Sequence, residues 1–296
     1  MAATPRRLAF GVHAAAYERA RPAWPDAAAR WLVPDGARLV VELGAGTGKL
    51  TRAIRALGVP VLAVEPDPRM LAVLRAVGLE GVGGSAEAIP LADGEADAVV
   101  AGSCLHWFDL ELALPEISRV LRPGGRFAFA WNHRDGRHRA VVRLDAAIAT
   151  ADGARPRWWS RDWPAEVTRS GLFADLESAR FPHIHELPRG ALEDHLLSYS
   201  GFAALPPVER HRVRAAVEAV LEAEPSLRDG DRLRLPFVVS AYRAVRTGQW
   251  GQTPGPGRGS QRGQTPGHGL EGHEAGGGGL ERGVRDAAAG ELEAGR

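Results

Sequence analysis

The chain has little cysteine, little lysine and no long apolar run. Cys104 is the single cysteine among 296 residues, which excludes an internal disulfide and favours a reducing cytoplasm. No apolar run approaches the roughly 20 residues of a membrane span, and the first residues lack the apolar core of a secretory signal. The formal net charge of +1 gives no electrostatic reason to expect a nucleic acid or an acidic membrane as partner. We therefore expect a cytoplasmic protein that binds neither.

The apolar residues, 45% of the chain, suffice for the core of one large α/β domain or two modest ones. From residue 248 onward the composition changes to glycine, arginine and glutamate, with few apolar side chains to bury. Because such a segment cannot offset its chain entropy, we predict a Gly-rich disordered tail over 248–296. The folded domain is then expected at 1–247.

Residues 39–57 predict a strand, a glycine-rich turn and a helix, in that order. Such a unit places a ligand at the carboxyl edge of a parallel sheet. The spacing from Gly44 to Gly48, G-x-G-x-G, differs from the dinucleotide pattern because Lys49 occupies the position of the third glycine. Glu42, just before the turn, suits a cationic ligand better than a pyrophosphate. A turn without a ligand remains the alternative.

Acidic and aromatic residues follow the next strands. Glu65 ends a predicted second strand, where a carboxylate can accept hydrogen bonds from both hydroxyls of a ribose, whereas Asp67 fits a surface cap of the next helix. A predicted strand at 97–102 leads into His106 and Trp107. The ring face of Trp107 attracts a cation within ~6 Å. His106 is a candidate base or a neutral donor, with a satisfied histidine behind the pocket as the alternative. No second ligand accompanies it at metal-binding spacing, so no metal is expected.

Three separated stretches carry a family resemblance: E-L-G-A-G-T-G at 42–48, S-A-E-x-I-P at 85–90, and L-R-P-G-G at 121–125 ahead of a strand at 127–131. Together they resemble the class I S-adenosylmethionine-dependent methyltransferases. The C-terminal half more loosely resembles trans-aconitate-methyltransferase-like proteins of methyltransferase type 11. The resemblance implies an α/β fold, a Rossmann-like, doubly wound, seven-stranded, mostly parallel sheet with helices on both faces. It also implies a small helical cap at 1–34 and a substrate-roof region at about 133–232.

The same resemblance implies S-adenosyl-L-methionine as the cofactor and a small molecule as the methyl acceptor. The methyl group would go to oxygen, nitrogen or carbon, with a carboxylate or hydroxyl favoured. A carboxylate would need no base, whereas a hydroxyl or an amine would make His106 the catalytic base. Carried onto this sequence, the cofactor-binding residues are Tyr17, Arg21, Glu42, Gly44, Ala45, Gly46, Gly48, Glu65, Pro66, Met70, Ser85, Ala86, Glu87 and Ser103. The substrate-binding residues are His106, Trp107 and Tyr199.

Several of these residues have simpler interpretations. Tyr17 and Met70 could instead pack in the core, and Arg21 could be solvated at the surface. Glu87 could lie in the first turn of a helix, where the helix dipole favours a carboxylate. For the chain as a whole, a non-catalytic protein that keeps the cofactor fold stays open. An NAD-dependent oxidoreductase is less favoured, because it would need the third glycine shifted and a donor such as Tyr-x-x-x-Lys, and Lys49 is the only lysine.

Overall fold

A computed structural model describes residues 11–152 and 161–248, with the side chains of 149–152 and 200 excluded. Apart from Gly248, the predicted tail lies outside the described residues. The helices are α1 (Ala14–Ala20), α2 (Asp26–Leu32), α3 (Lys49–Arg55), α4 (Pro68–Ala76), α5 (Leu110–Val120), α6 (Arg139–Asp152), α7 (Trp163–Arg169), α8 (Leu192–Leu197), α9 (Ser200–Ala203) and α10 (Pro207–Ala223). The strands are β1 (Val40–Leu43), β2 (Val61–Glu65), β3 (Gly81–Gly83), β4 (Ala96–Gly102), β5 (Leu121–Arg134), β6 (Phe173–Pro188), β7 (Arg228–Asp229) and β8 (Arg232–Arg246).

The strands form one mixed sheet in the order β3-β2-β1-β4-β5-β8-β6. β1 to β5 run parallel to their neighbours among themselves, and the long strand β8 runs antiparallel to both β5 and β6. The chain passes from β1 to β2 on one side and returns to β4 on the other. The carboxyl ends of β1 and β4 therefore border the crevice where doubly wound sheets bind ligands. The predicted doubly wound, mostly parallel α/β sheet is confirmed.

Two details differ from the sequence prediction. The sheet has eight strands rather than seven, because the two-residue β7 pairs with the start of β8 across a turn at Gly230. Two residues are too few to leave an alternation pattern, so no sequence signal marks this strand. β5 begins at Leu121 instead of Phe127, because Leu121 already pairs with Ala96 before a register shift accommodates the Pro-Gly-Gly turn.

Apolar side chains cover both faces of the sheet, as the burial of a parallel sheet requires. On one face, α5 and α7 pack against β1, β4 and β5. On the other face, α2 and α3 pack against the same strands. A further apolar cluster joins α6, α8 and α10 to the first half of β8, and is called the roof core below. Within the described ranges, no helix is long and apolar enough to cross a membrane.

Candidate functional site

The turn between β1 and α3 is built from three glycines with positive φ. Gly44, Gly46 and Gly48 have φ values of 61°, 59° and 83°. A Cβ at Gly48 would lie 2.3 Å from Leu79 Cδ1, so packing as well as φ requires glycine there. A Cβ at Gly46 would meet only Met70 Cε, at 4.0 Å. This part of the turn is therefore open to a ligand, and the buried Met70 lies beside it.

Two buried carboxylates lie at the carboxyl ends of β1 and β2. Glu42 accepts a hydrogen bond from the Thr51 hydroxyl, and Glu65 accepts from the amides of Gly46 at 2.7 Å and Asp67 at 2.8 Å. Burial raises the pKa of Glu42 to about 8, against the hydrogen bond from Thr51, and the charge of Glu65 adds to the rise. Burial also raises the pKa of Glu65. In the part of the chain that the structure describes, no basic side chain donates a hydrogen bond to either carboxylate.

Two further polar side chains are buried next to this pair. Thr47, inside the glycine turn, buries its hydroxyl without a hydrogen-bond partner. Asp67 caps α4 by accepting from the Arg69 amide at 2.9 Å, but it is buried rather than on the surface as the sequence suggested. Gly11 covers it, because a Cβ there would lie 2.2 Å from Asp67 Oδ2. A buried hydroxyl without a partner is a group that a ligand can satisfy.

The stretch that the sequence assigned to the adenine forms a turn closed by a bridge between Ser85 and Ala88. Ala86 is buried, and Glu87 accepts a hydrogen bond from the Asp109 amide at 3.0 Å. The alternative that Glu87 lies in the first turn of a helix is wrong, because the segment is a turn between two bridge residues. Its carboxylate instead connects this turn to the start of α5.

Ala45, Pro66 and Ser103 follow the ends of three adjacent strands, β1, β2 and β4. The Ala45 amide donates to the Val64 carbonyl at 3.1 Å, and Pro66 is exposed. Ser103 has a φ of 57°, uncommon for a residue with a side chain, and its hydroxyl accepts from the Asn132 amide at 3.2 Å. Ser103 therefore joins β4 to β5 at the crevice.

Tyr17, in the cap helix α1, lies within electrostatic reach of the two carboxylates. Burial raises the pKa of its phenol; Arg21 opposes the rise, while Cys104, Glu65 and Glu42 add to it. Cys104 is itself buried and its thiol donates to the Leu43 carbonyl at 3.0 Å. The cap thus brings Tyr17 to the same end of the sheet as the glycine turn.

His106 lies just after β4 in a short 3-10 helix, and its ring centroid is 4.7 Å from that of Trp107. The indole Nε1–H of Trp131 donates to His106 Nδ1 at 3.3 Å. Because Nδ1 accepts, the proton of the neutral ring is on Nε2. Burial, with the charge of Arg21, lowers the pKa of His106 to about 4, so the ring is neutral at pH 7. Of the two roles predicted for His106, this geometry favours the neutral donor over the base.

Arg21 connects the cap to the roof core. Its guanidinium carbon lies 4.1 Å from the ring centroid of Tyr199 and 5.3 Å from that of Tyr17, and Arg134 lies 4.8 Å from the same Tyr199 ring. Arg21 Nη2 donates to the Ser198 carbonyl at 3.1 Å, whereas Nε is buried without a partner. Arg21 is half-buried, so its solvated alternative is wrong. It therefore offers a positive charge between the cap and the roof core.

Comparisons with known proteins identify the family of the chain. Residues 41–129 match the methyltransferase domain family. An uncharacterized methyltransferase of Mycobacterium tuberculosis is 40% identical over 241 residues, covering 80% of this chain and 96% of the relative. The chain belongs to this methyltransferase family. It is an S-adenosylmethionine-dependent methyltransferase, which confirms the resemblance seen in the sequence.

Two further similarities extend over most of the methyltransferase. An uncharacterized methyltransferase-like protein of Schizosaccharomyces pombe is 32% identical over 244 residues, covering 80% of this chain and 95% of the relative. A solved structure from Anaeromyxobacter dehalogenans, described as a candidate type II methyltransferase, has a TM-score of 0.58 at 24% identity. It covers 76% of this chain and 97% of its own. The structural likeness establishes the shared fold.

The residues at the glycine turn fit the cofactor of the methyltransferase. S-adenosylmethionine carries a sulfonium and an ammonium group, and both favour nearby negative charge. Glu42 and Glu65 supply two carboxylates without basic hydrogen-bond partners, and a positive ligand stabilises their ionised forms. The open backbone at Gly46 and the unpaired hydroxyl of Thr47 add polar groups that a nucleoside can bind.

Sequence reasoning missed several residues of the site. Thr47 lies within the recognised motif, but its burial without a partner is a tertiary property. Trp131 ends a predicted strand, and only the structure shows its indole on His106. His185 and His195 come from the roof, where no motif marked them, and both contact the cap. Among the described residues, no group of three or more His, Cys, Asp and Glu side chains is arranged to hold a metal ion.

Proposed function

We propose that this methyltransferase methylates an oxygen of a small carboxylic acid. The observation that supports the acidic acceptor is Arg21, whose buried Nε has no partner and which forms no ion pair with a carboxylate among the described residues. Arginine binds carboxylates through a planar fork of donors. An acidic acceptor supplies the counter-charge that no described residue gives to Arg21.

On the cofactor side, we assign S-adenosylmethionine to the glycine turn between β1 and α3. When bound, it supplies an activated methyl group. Glu65, at the end of β2, is the candidate for the ribose hydroxyls, because its two oxygens each have capacity beyond the amide bonds from Gly46 and Asp67. Glu42 provides negative charge to a cationic ligand, and Tyr17 belongs to the cap over this end.

On the acceptor side, His106 holds the reacting group in place. Its Nε2–H can donate to a carboxylate oxygen, while Trp131 occupies Nδ1. A carboxylate attacks with a lone pair and loses no proton, so a neutral, donating histidine suffices. Orientation then carries most of the acceleration, because in-line methyl transfer depends on alignment of the reacting atoms. Trp107 and Tyr199 contribute ring faces beside these two groups.

Transfer from methyl-labelled S-adenosylmethionine to paired acceptors tests this proposal. Each pair contains a carboxylic acid and the primary amide of the same acid, across aliphatic and aromatic members. We expect label in the acids only, in a product that mild base hydrolyses, as it does a methyl ester. Arg21→Met should lower kcat/KM for the accepted acid by about 10- to 100-fold, the scale of a lost charged hydrogen bond.

Arg19→Met is the matched control, because Arg19 lies two residues away on the cap and is mostly exposed. It should leave transfer unchanged, and both variants should bind S-adenosylhomocysteine as the wild type does. Equal labelling of acids and amides, or full activity of Arg21→Met, contradicts the acidic acceptor. Tight S-adenosylhomocysteine binding without transfer to any acceptor would favour a non-catalytic protein.

A further inference from the structure

The carbonyl of Ala20, the last residue of α1, receives two imidazole hydrogen bonds. His185 Nε2, in β6, lies 2.9 Å from this oxygen, and His195 Nδ1, in α8, lies 3.0 Å from it. The last carbonyls of a helix have no partner within the helix, and a carbonyl oxygen has two lone pairs. Two histidines from separate elements of the roof therefore satisfy one carbonyl of the cap.

This arrangement defines where the protons of both rings are. A carbonyl only accepts, so the ring nitrogen that faces it must carry the hydrogen. His185 is then the Nε2–H tautomer and His195 the Nδ1–H tautomer. The bare Nε2 of His195 is left to accept from the Tyr199 hydroxyl, 3.4 Å away. The two rings lie 5.4 Å apart between their centroids.

The surroundings keep both rings uncharged at pH 7. Burial lowers the pKa of His185 to about 4 and lowers the pKa of His195 well below its ordinary value, in each case against the hydrogen bond to Ala20. Among the described residues, the neighbouring charges that act on the pKa values of the pair are positive, from Arg21 in the cap, Lys49 in α3 and Arg134 in β5, and its titratable neighbours are His183 in β6 and the Tyr199 hydroxyl. The pair thus binds the cap as neutral donors, without an ion pair.

The residues on either side of Ala20 also contact the roof. Arg19 Nε lies 2.7 Å from Asp194 Oδ2, and Arg21 Nη2 donates to the Ser198 carbonyl at 3.1 Å. The Arg19 side chain is 60% exposed, so this surface ion pair contributes little. The Ala20 contacts are buried, and a buried carbonyl without a partner is unfavourable. Of the contacts that residues 19–21 make with the roof, the two histidine hydrogen bonds to Ala20 are therefore the buried ones that hold the end of α1.

We infer that His185 and His195 are positioning residues of the methyltransferase, which hold the Ala20 carbonyl and thereby fix the adjacent Arg21 at the acceptor end. Arg21 follows Ala20 directly and leaves the helix with φ −73° and ψ 143°. A movement of the Ala20 carbonyl therefore displaces the Arg21 side chain from the Tyr199 ring. The role of Arg21 toward an acceptor rests on the proposed function, but the anchoring of Ala20 does not.

Nitrogen-15 NMR of the histidine side chains in the full-length wild-type protein at pH 7 tests the anchor without any acceptor. We expect one ring in the Nε2–H form, assigned to His185, and one in the Nδ1–H form, assigned to His195, with both neutral. Assignment uses the variants His185→Gln and His195→Asn, each of which removes one signal. The opposite tautomer at either residue, or a charged ring, overturns the inference.

Paired variants then test the positioning of Arg21. His185→Gln and His195→Asn each retain an N–H near the position of the lost donor, whereas His185→Leu and His195→Leu remove it. In the leucine variants, we expect amide exchange at 17–21 to accelerate by about 10-fold, the effect of one lost hydrogen bond. We also expect the Nε–H signal of Arg21 to broaden or disappear in these variants.

The glutamine and asparagine variants should retain slow exchange at 17–21 and a resolved Arg21 signal, which separates donor loss from a general effect of substitution. If all four variants behave alike, the histidines only fill space and the inference fails. If the leucine variants do not fold, the wild-type tautomers still decide it. Failure of the proposed function would show in the transfer assay instead, with these NMR results unchanged.

Discussion

The two ends of the crevice differ in how the chain builds them. The proposed cofactor end is local: Glu42, the glycine turn and Glu65 come from one strand-turn-helix-strand unit, and much of its bonding uses backbone amides. The proposed acceptor end is assembled from four separated parts of the chain: the cap, the segment after β4, the end of β5, and the roof. A local unit leaves a motif in the sequence, whereas an assembled one does not.

The ends also differ in charge. Two buried carboxyl groups with raised pKa values, which a cationic ligand would ionise, lie at the proposed cofactor end, and Arg21, with Arg134 near the same tyrosine ring, lies at the proposed acceptor end. Ionisable carboxyl groups at one end and fixed positive charge at the other favour a cationic ligand at the first and an anionic ligand at the second. The difference therefore suggests how one crevice keeps cofactor and acceptor in separate places. Each variant below changes one end and leaves the other as its control.

The largest expected effect is that of Glu42→Gln on stability. The pKa of Glu42 rises from 4.5 to about 8 on folding, so the native state binds more protons than the unfolded chain between these values. Stability contributed by this group therefore falls as pH rises through that window. Glutamine keeps an oxygen for the Thr51 hydroxyl and removes the charge. We expect urea unfolding at pH 8 to show a gain of ~4 kcal/mol over wild type.

The same variant should be no more stable than wild type below pH 4.5, where Glu42 is protonated in both states. Its affinity for S-adenosylmethionine should fall by about 10-fold at pH 8, because a negative charge near a cation is lost. A more stable protein that binds its cofactor less well is the pattern of a functional site. If Glu42→Gln and the wild type were equally stable at pH 8 as well as at pH 4.5, Glu42 would not have the raised pKa that burial gives it.

Glu65→Ala is expected to act on the cofactor end alone. Loss of charged hydrogen bonds should weaken S-adenosylhomocysteine binding by about 1–3 kcal/mol, measured by calorimetry. Arg21→Met, at the other end, should leave this affinity unchanged. If Arg21→Met weakens S-adenosylhomocysteine binding as much as Glu65→Ala does, the two ends are not separate. Arg21 then belongs to the cofactor site, where the sequence resemblance first placed it. Unchanged affinity in Glu65→Ala rejects the ribose assignment.

The contrast between local and assembled parts also explains what the sequence could predict. The strand, glycine turn and helix at 39–57 and the position of Glu65 at the end of the next strand follow from spacing within a short segment. The protonation of His106 does not, because burial, with the charge of Arg21 in the cap, lowers its pKa, and Trp131, 25 residues away, sets its tautomer. The eighth strand was missed because two residues form no pattern. Burial and pairing over long separations are tertiary facts that a single sequence does not carry.

A smaller effect is expected at His106, where two substitutions separate donor from base. Glutamine can donate a hydrogen bond but cannot take up a proton, and alanine can do neither. We expect His106→Gln to retain most of kcat/KM for the accepted acid and His106→Ala to lose about 10-fold, the scale of one neutral hydrogen bond. Loss of a general base would lower both variants by about 100-fold or more. Cofactor affinity should be normal in both.

The smallest effect is expected at Glu87, which is only partly buried. Its carboxylate already accepts from the Asp109 amide at 3.0 Å, in a partly exposed setting. This carboxylate is solvated and already accepts a hydrogen bond, so a ligand would gain little from it. Glu87→Ala should therefore weaken S-adenosylhomocysteine binding by less than about 1 kcal/mol in calorimetry. Glu111→Ala, on exposed α5 surface, is the control. A loss equal to that of Glu65→Ala would mean that Glu87 binds the adenine directly, and that the cofactor end extends to α5.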